Sequence, residues 1–552
     1  MRLPYFLAFF MLAFSACQSE KPSADTIYYN ANIWTGDPKQ PSASVLAIKD
    51  GKVLFAGDDY QSYQGAETEL VDVQGRLLVP GFMDNHTHFL DGGFQLASVE
   101  LRDAQTPEDF IRLLAEFTHT LPNDGRWILG GNWDHEAWGG ELPRREWIDS
   151  IAGGHPIFVS RLDGHMALAS TQVLELAGIT SDTPDPEGGT IIKNPLTGEP
   201  TGILKDEAMS VVYAILPDRT EAELDEALQR AVTHALSLGV TQVHDVGSFG
   251  GWTDLATYQR AHQKGELPMR IYSFVPISSW AKLADYIAEN GTGDDVLRWG
   301  ALKGFVDGSL GSTTAWFYDP YVDEPETSGL LVNDTTQLRK WILAADSAGL
   351  HIGVHAIGDR ANDWLLNVYA EAAARNGQRD RRFRIEHAQH LTREAIGRFA
   401  ELGVIPSMQP YHAIDDGRWA EKRIGPERIK TTYPFRSLLD AGAPLTFGSD
   451  WTVAPLNPLE GIYAAVTRRT LDGANPEGWM PQEKISVEEA LRCYTAANAY
   501  AGYQEGRLGV LKPGYRADFV ILSENIFEVA PERIKEVEVL RTVVNGEAVY
   551  VK

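Results

Sequence analysis

An α/β chain organised around a (β/α)8 barrel is what this sequence predicts, on three observations. Short apolar runs alternate with amphipathic stretches through the middle of the chain, the pattern of parallel strands with helices packed outside them. There are eight such runs, the number that closes a barrel. Polar residues gather at the C-terminal ends of the runs, where barrel proteins carry their sites.

The eight expected strands are residues 81–84, 241–244, 270–275, 302–306, 352–355, 383–386, 404–407 and 445–448. Amphipathic stretches such as 221–238 and 336–348 read as the covering helices. The long gap after the first strand, about residues 92–230, holds elements of its own, including the apolar run Pro156-Ile157-Phe158-Val159. It is expected to form an inserted subdomain over the barrel mouth. Before the barrel, residues 27–29, 45–48 and 53–56 are strand-like, with the hairpin signal Asp50-Gly51 between the last two. After it, 518–522 and 542–544 repeat that style, and Asn545-Gly546 turns the chain toward Ala548-Val549-Tyr550. Neither end has strands enough for a stable sheet of its own. The two ends, 26–78 and 505–552, are therefore expected to pair into one small β-sandwich domain, with the barrel (79–504) inserted between them.

Composition narrows the function. The chain has 552 residues, 43% of them hydrophobic, and a formal net charge of −27, which repels phosphate backbones and argues against nucleic acid as a partner. Two cysteines exclude a disulfide framework and a thiolate zinc cluster. At the N-terminus Arg2 precedes an apolar run from Leu3 to Phe14 that is too short to span a bilayer. Residues 1–16 read as an export signal, and Phe14-Ser15-Ala16-Cys17 resembles a bacterial lipobox. Cys17 is then the lipidated first residue, 17–25 a polar tether, and the mature protein an exported one at the bacterial cell envelope, touching a membrane only through that lipid. The other cysteine, Cys493, is expected to be an inert buried thiol.

The chemistry sits in the strand ends. The first reads Gly81-Phe82-Met83-Asp84-Asn85-His86-Thr87-His88. Residues two apart on a strand share a face, so His86 and His88 project together, as two ligands of one metal must. Two later strands end in His355 and His387, and the last runs into Gly448-Ser449-Asp450-Trp451. A lone histidine on an apolar strand is ordinarily a core residue; four histidines and an aspartate at the strand ends of one barrel are not well explained that way.

These motifs, with His355-Ala356-Ile357-Gly358-Asp359, Glu386-His387-Ala388 and the closing segment Gly509 to Phe519, resemble the metal-dependent amidohydrolase superfamily. The likeness is greatest to amidohydrolase family 3, which includes N-substituted formamide deformylases, and it covers nearly the whole mature chain. The resemblance implies that His86, His88 and Asp450 bind one metal and His355 and His387 a second. It also implies that Lys303, carboxylated by CO₂, bridges the two; a bare ammonium would repel both cations, whereas a carbamate is a bridging anion. Imidazole and carboxylate donors suit zinc, with manganese, iron or nickel as alternatives. A divalent ion supplies hydroxide at neutral pH, and Asp450 is then the group that takes the water's proton and hands it to the departing nitrogen. The expected reaction is hydrolysis of a non-peptide C–N bond in a small-molecule amide or N-formyl compound.

Substrate contacts are less determined. Trp133, among the tryptophans 127, 133, 138 and 147 of the insertion, is the candidate for pocket lining; His165 and His244 are candidates near the reacting oxygen, with His244 expected behind the ligands. His119, His262 and His412 read as structural or surface residues. No Gly-x-Ser-x-Gly elbow, His-Glu-x-x-His or Walker loop occurs. Two alternatives remain open: a deaminase of aminated heterocycles, disfavoured because Asp359 follows the fifth-strand histidine where purine deaminases usually carry a glutamate, and a non-catalytic metal- or solute-binding lipoprotein.

Overall fold

The computed structural model describes residues 22–122, 124–247 and 250–552. The expected export signal, Cys17 and the tether up to residue 21 lie outside the described residues. All eight expected barrel strands are present: β1 (Phe82–Thr87), β2 (Val240–Asp245), β3 (Arg270–Pro276), β4 (Leu297–Phe305), β5 (His351–Ala356), β6 (Arg384–His387), β7 (Ile405–Met408) and β8 (Thr446–Phe447). They form one parallel sheet in sequence order. Its two edges meet beyond β8, where Thr87 bridges Trp451. There the His88 N–H donates to the Trp451 carbonyl at 2.6 Å and the Asp450 N–H to that of His86 at 2.8 Å. Barrel closure and the convergence of His86, His88 and Asp450 are thus one event.

The strands read as continuous apolar runs because both faces are covered, the inner by barrel side chains and the outer by helices. Ile352, Val354 and Ile385 are completely buried. The helices start on side-chain caps: Thr220 and Glu223 form a reciprocal capping box at Glu221–Ser237, Asp334 caps Thr335–Ser347 and Thr392 caps Arg393–Leu402. β4 begins five residues before its expected start because Leu297 and Arg298 already pair with Ile271 and Tyr272.

Between β1 and β2 the chain builds a six-stranded sheet from segments between Val99 and Asp206. It has its own core, which includes Phe110, Ile128, Ile157 and Trp133. Here one expectation fails. Trp133 is fully buried and its indole N–H donates to the Val159 carbonyl at 2.8 Å, so it packs the insertion rather than lining a pocket. Trp138 and Trp147 meet Phe110 edge-on in the same core. Ion pairs tie the insertion to the loops beyond β7: Arg418 to Asp134 at 2.9 Å and Arg423 to Glu136 at 2.8 Å.

The two chain ends share a six-stranded sheet. Phe519–Leu522 pairs with Leu77–Pro80, and Val539–Val544 and Glu547–Val551 follow it outward. A four-stranded sheet of N-terminal segments faces it across Tyr28, Leu46, Leu78, Phe519 and Val543. Both hairpin signals make left-handed two-residue turns, with φ of 50° and 70° at Asp50-Gly51 and 52° and 79° at Asn545-Gly546. Arg270, at the start of β3, joins this sheet to the barrel. Its guanidinium donates to both Asp518 oxygens at 2.6 and 3.0 Å, and both residues are buried. Removing one partner strands a buried charge, so Asp518→Ala is expected to lower unfolding free energy by about 3–5 kcal/mol, read from urea titrations.

Candidate metal centre

The site is built at the C-terminal ends of β1, β4, β5, β6 and β8. His86 lies on β1 and is fully buried. His88 is one residue past the strand, the N-cap of the helix Phe89–Gln95 with φ −101° and ψ 71°. The shared face inferred from strand alternation is therefore produced by a turn. Asp450 Oδ1 stands 3.3 Å from His86 Nε2 and 3.4 Å from His88 Nε2. His387 ends β6, and its ring centroid is 4.9 Å from that of His86 and 4.5 Å from that of His355. Lys303, on β4, brings its Nζ to 3.2 Å from His86 Nε2. Of the six ligands expected from the sequence, His86, His88, His387 and Asp450 fall in compact donor groups, and Lys303 and His355 stand beside them.

Backbone strain helps to gather them. His387, Ala388 and Asp450 have φ of 72°, 45° and 60°, a left-handed conformation that costs free energy in non-glycine residues and persists where surroundings impose it. At His387 the turn lets neighbouring residues both reach the interior, Glu386 to one side of His86 and His387 to the other. Gly448 is required for a different reason. A Cβ there would stand 2.6 Å from both Asp84 Oδ1 and Asn85 Oδ1 and 2.7 Å from the His86 nitrogen. The Asp84 carboxylate accepts the backbone N–H of His86 and of Ser449, at 3.0 and 2.9 Å, stitching β1 to the Asp450 loop.

Each histidine is oriented by a second partner, which fixes its tautomer and ring plane. His86 Nδ1 lies 2.6 Å from Glu386 Oε2, leaving Nε2 toward the mouth. His88 Nδ1 donates to the Gly247 carbonyl at 2.8 Å, and His387 Nδ1 to Gln409 Oε1 at 2.9 Å. His355 Nε2 meets the Gly308 carbonyl at 3.1 Å. Glu386 is itself held by Arg384 at 2.7 Å and by the Ser407 hydroxyl at 2.6 Å, all in the barrel interior. Asp307 accepts the backbone N–H groups of Trp316, Ile357 and Gly358 and so shapes the loops around His355.

Electrostatics suit metal binding. Burial holds His86 down to about 4 and takes His355 and His387 well below the ordinary imidazole range, giving the neutral rings that ligate metals. Burial would also lower His88, but the Asp450 carboxylate outweighs it. Burial opposes ionisation of Asp450, and the three imidazoles around it reverse that and keep it ionised. Burial lowers the Lys303 ammonium to about 8, against the pull of Glu386 and Asp450. Asp450 Oδ1 and His412 Nε2 are among the buried side-chain atoms of the described residues that have no hydrogen-bond partner. Orphaned buried donors and acceptors are costly, and here they point into a cluster of nitrogen and oxygen atoms. His86, His88 and Asp450 form one compact group and His387, His412 and Asp450 another, each with its ligand atoms within 4.8 Å of one another. The donor set fits a divalent metal with nitrogen and oxygen ligands.

Other expectations are revised. His412 is no surface residue: its side chain is 11% exposed and its Nε2 faces Asp450 Oδ2 at 4.0 Å. His244 is fully buried below the ligands, where Arg384 donates to its Nδ1 at 3.0 Å; it is out of reach of a substrate. His165 enters from the insertion, with its Nδ1 2.6 Å from Asp206 Oδ1 and its ring centroid 5.3 Å from that of His355. It borders both a cavity of about 370 Å³ on the β3–β4 side and one of about 50 Å³ on the β5–β8 side. Cys493 is buried, its thiol pushed up beyond the range in which it ionises. His119 is exposed and bonded to the Ala115 carbonyl, and His262 is partly exposed and bonded to Asp294.

A barrel with this ligand cluster at its mouth defines a metal-dependent hydrolase. The amidohydrolase family (family 3) matches residues 69–550, and the chain belongs to that family. It is 41% identical over 539 residues to Protein LONG AFTER FAR-RED 3 of Arabidopsis thaliana, covering 96% of this chain and 92% of that protein. It is 29% identical over 549 residues to N-substituted formamide deformylase of Arthrobacter pascens, covering 95% and 98%. Among solved structures, an uncharacterized metal-dependent hydrolase from Pyrococcus horikoshii matches with a TM-score of 0.73 at 29% identity, over 92% of this chain and 99% of that one. The protein is a hydrolase of carbon–nitrogen bonds other than peptide bonds.

Glu386 orients His86 without facing the mouth. Glu386→Gln is expected to weaken metal affinity about 10–100-fold, measured by competition with a chromogenic chelator.

Proposed function

We propose that the protein hydrolyses the C–N bond of a small-molecule amide of N-acyl or N-formyl type. In this reading zinc is held by His86, His88 and Asp450 and a second ion by His355 and His387, with a carbamate on Lys303 between them. The observation that carries it is the convergence of the Asp450 carboxylate with His86, His88 and His387 at distances of 3.3 to 3.9 Å. A bound divalent ion would lower the pKa of water and polarise the amide carbonyl.

The chain's own residues supply the rest. Asp450, ionised and facing the imidazoles, accepts the proton of the attacking water and returns it to the leaving nitrogen. Lys303, with its ammonium lowered to about 8 by burial, has a larger share of the neutral amine that carbamate formation from CO₂ requires than an exposed lysine has. The larger cavity offers apolar surface from Met209, Ile277, Phe305 and Trp341 next to Lys303 and His165, suiting an amide with an apolar substituent. The same proposal puts the protein at the bacterial cell envelope, lipid-anchored at Cys17, a reading supported by residues 1–17 of the sequence.

The test is a panel of N-acyl and N-formyl amines and aminated heterocycles, with amine, acid and ammonia measured separately. Amide cleavage is expected; ammonia release from heterocycles with amides left intact would favour deamination, and metal binding without turnover would leave a binding protein. Asp450→Asn is expected to keep its metal and lose about 10²–10⁴ in kcat, and a wild-type rate in that variant removes the proton-transfer role. Protein equilibrated with ¹³C-bicarbonate is expected to show a carbamate carbon resonance that Lys303→Met lacks.

A further inference from the structure

His412 stands apart from the ligands that the strand ends provide. It lies on the short helix Pro410–Asp416 directly after β7, one turn beyond Gln409, which orients His387. The rings of His387 and His412 are 6.3 Å apart and 15° from parallel. Its Nε2 is buried, has no hydrogen-bond partner and stands 4.0 Å from Asp450 Oδ2. It lines the smaller cavity together with His165, His355, His387 and Asp450.

The helix carrying it is fixed from outside the barrel. Arg418 donates to the Asp415 carbonyl at 2.9 Å and to Asp134 of the insertion at 2.9 Å. A buried polar atom left without a partner calls for an explanation, and its place on the wall of the smaller cavity beside Asp450 offers one, a group that arrives there. In the reading proposed above, His86, His88 and Asp450 would give one ion three donors and His355, His387 and Lys303 the other three, the number a catalytic zinc takes while keeping a position open; that reading leaves His412, whose ring stands in one compact group with His387 and Asp450, free for another role.

We propose that His412 is a catalytic residue of the amide hydrolysis, donating its Nε2–H to the carbonyl oxygen of the scissile amide as that oxygen gains negative charge. The inference rests on the function proposed above. Water oxygen bonds to the carbonyl carbon, its proton goes to Asp450, and the carbonyl π pair moves onto the oxygen facing His412. The pair then returns to re-form C=O, the C–N bond breaks, and the nitrogen leaves with its electron pair and the proton from Asp450. The His412 proton is shared in a hydrogen bond throughout and is never transferred, so a neutral imidazole with hydrogen on Nε2 suffices.

The experiment compares His412→Leu, His412→Gln and His412→Asn with wild type as metal-loaded protein. It reads metal per chain by mass spectrometry, kcat and KM on the best amide of the panel, and affinity for a phosphonate that mimics the tetrahedral state. Metal content is expected to stay at the wild-type level in all three. His412→Leu is expected to lose about 10²–10³ in kcat with KM nearly unchanged, and to lose affinity for the phosphonate by a similar factor. At least one amide-bearing variant should recover tenfold or more of the loss. A variant lacking one metal equivalent makes His412 a ligand and overturns the proposal, as does a kcat within threefold of wild type in His412→Leu. Should that variant fail to fold, equal losses in both amide variants overturn it. If wild type cleaves no amide, the parent reading fails by itself, and equal phosphonate affinity in wild type and His412→Leu is then the result that removes the donor role.

Discussion

The carboxylate of Glu386 is the constraint on which the centre depends. It is fully buried, and a buried carboxylate is tolerated only when its charge and lone pairs are matched. Arg384 matches the charge and stands 2.7 Å from Oε1, Ser407 and His86 both meet Oε2, and Arg384 reaches on to the Asn85 carbonyl and His244. Four strands are thereby brought into one register around a single side chain. β5 makes room for it with a glycine, since a Cβ at Gly353 would come within 2.7 Å of Glu386 Oε1. The polar interior of the barrel is thus less a store of stability than a jig that sets the direction of His86.

A second layer of control lies in how the strands end. Regular strand geometry spaces side chains evenly and cannot concentrate six ligands at one mouth. The left-handed residues His387 and Asp450, the cap position of His88 and the glycine at 448 break that spacing where needed. Backbone hydrogen bonds to Asp84 hold the His86 and Ser449 segments, and those to Asp307 hold the loop after β5; burial raises both carboxyls to about 7. Each fixes a loop of the mouth, and Asp307 Oδ1 also stands 3.6 Å from His355 Nε2.

Much of this was legible in the sequence because it depends on local pattern. The eight apolar runs, the two hairpin dipeptides and the histidines at strand ends are short-range signals, and β1 through β8 formed where those signals stood. The residues that went unassigned act across long sequence separations. Glu386 precedes His387, and strand alternation alone would put the two on opposite faces; only the backbone turn at His387 shows that they serve one site. His412 has a polar, helical context, Tyr411-His412-Ala413, that carries no ligand signal by itself; its place follows from the loop after β7 folding back over the mouth. Trp133 erred in the other direction. A tryptophan in a glycine-rich stretch reads as a binding loop, yet the glycines there let two strands of the insertion approach closely and bury it.

The insertion's ion pairs to Arg418 and Arg423 carry a wider implication. One wall of the chamber rides on a sheet with its own core, while the ion-holding groups are anchored in the cylinder beneath. The same contacts hold the short helix that carries His412, through Arg418 on Asp134. A change in the outer sheet is therefore felt twice, in the shape of the chamber and in the placing of one imidazole at its floor.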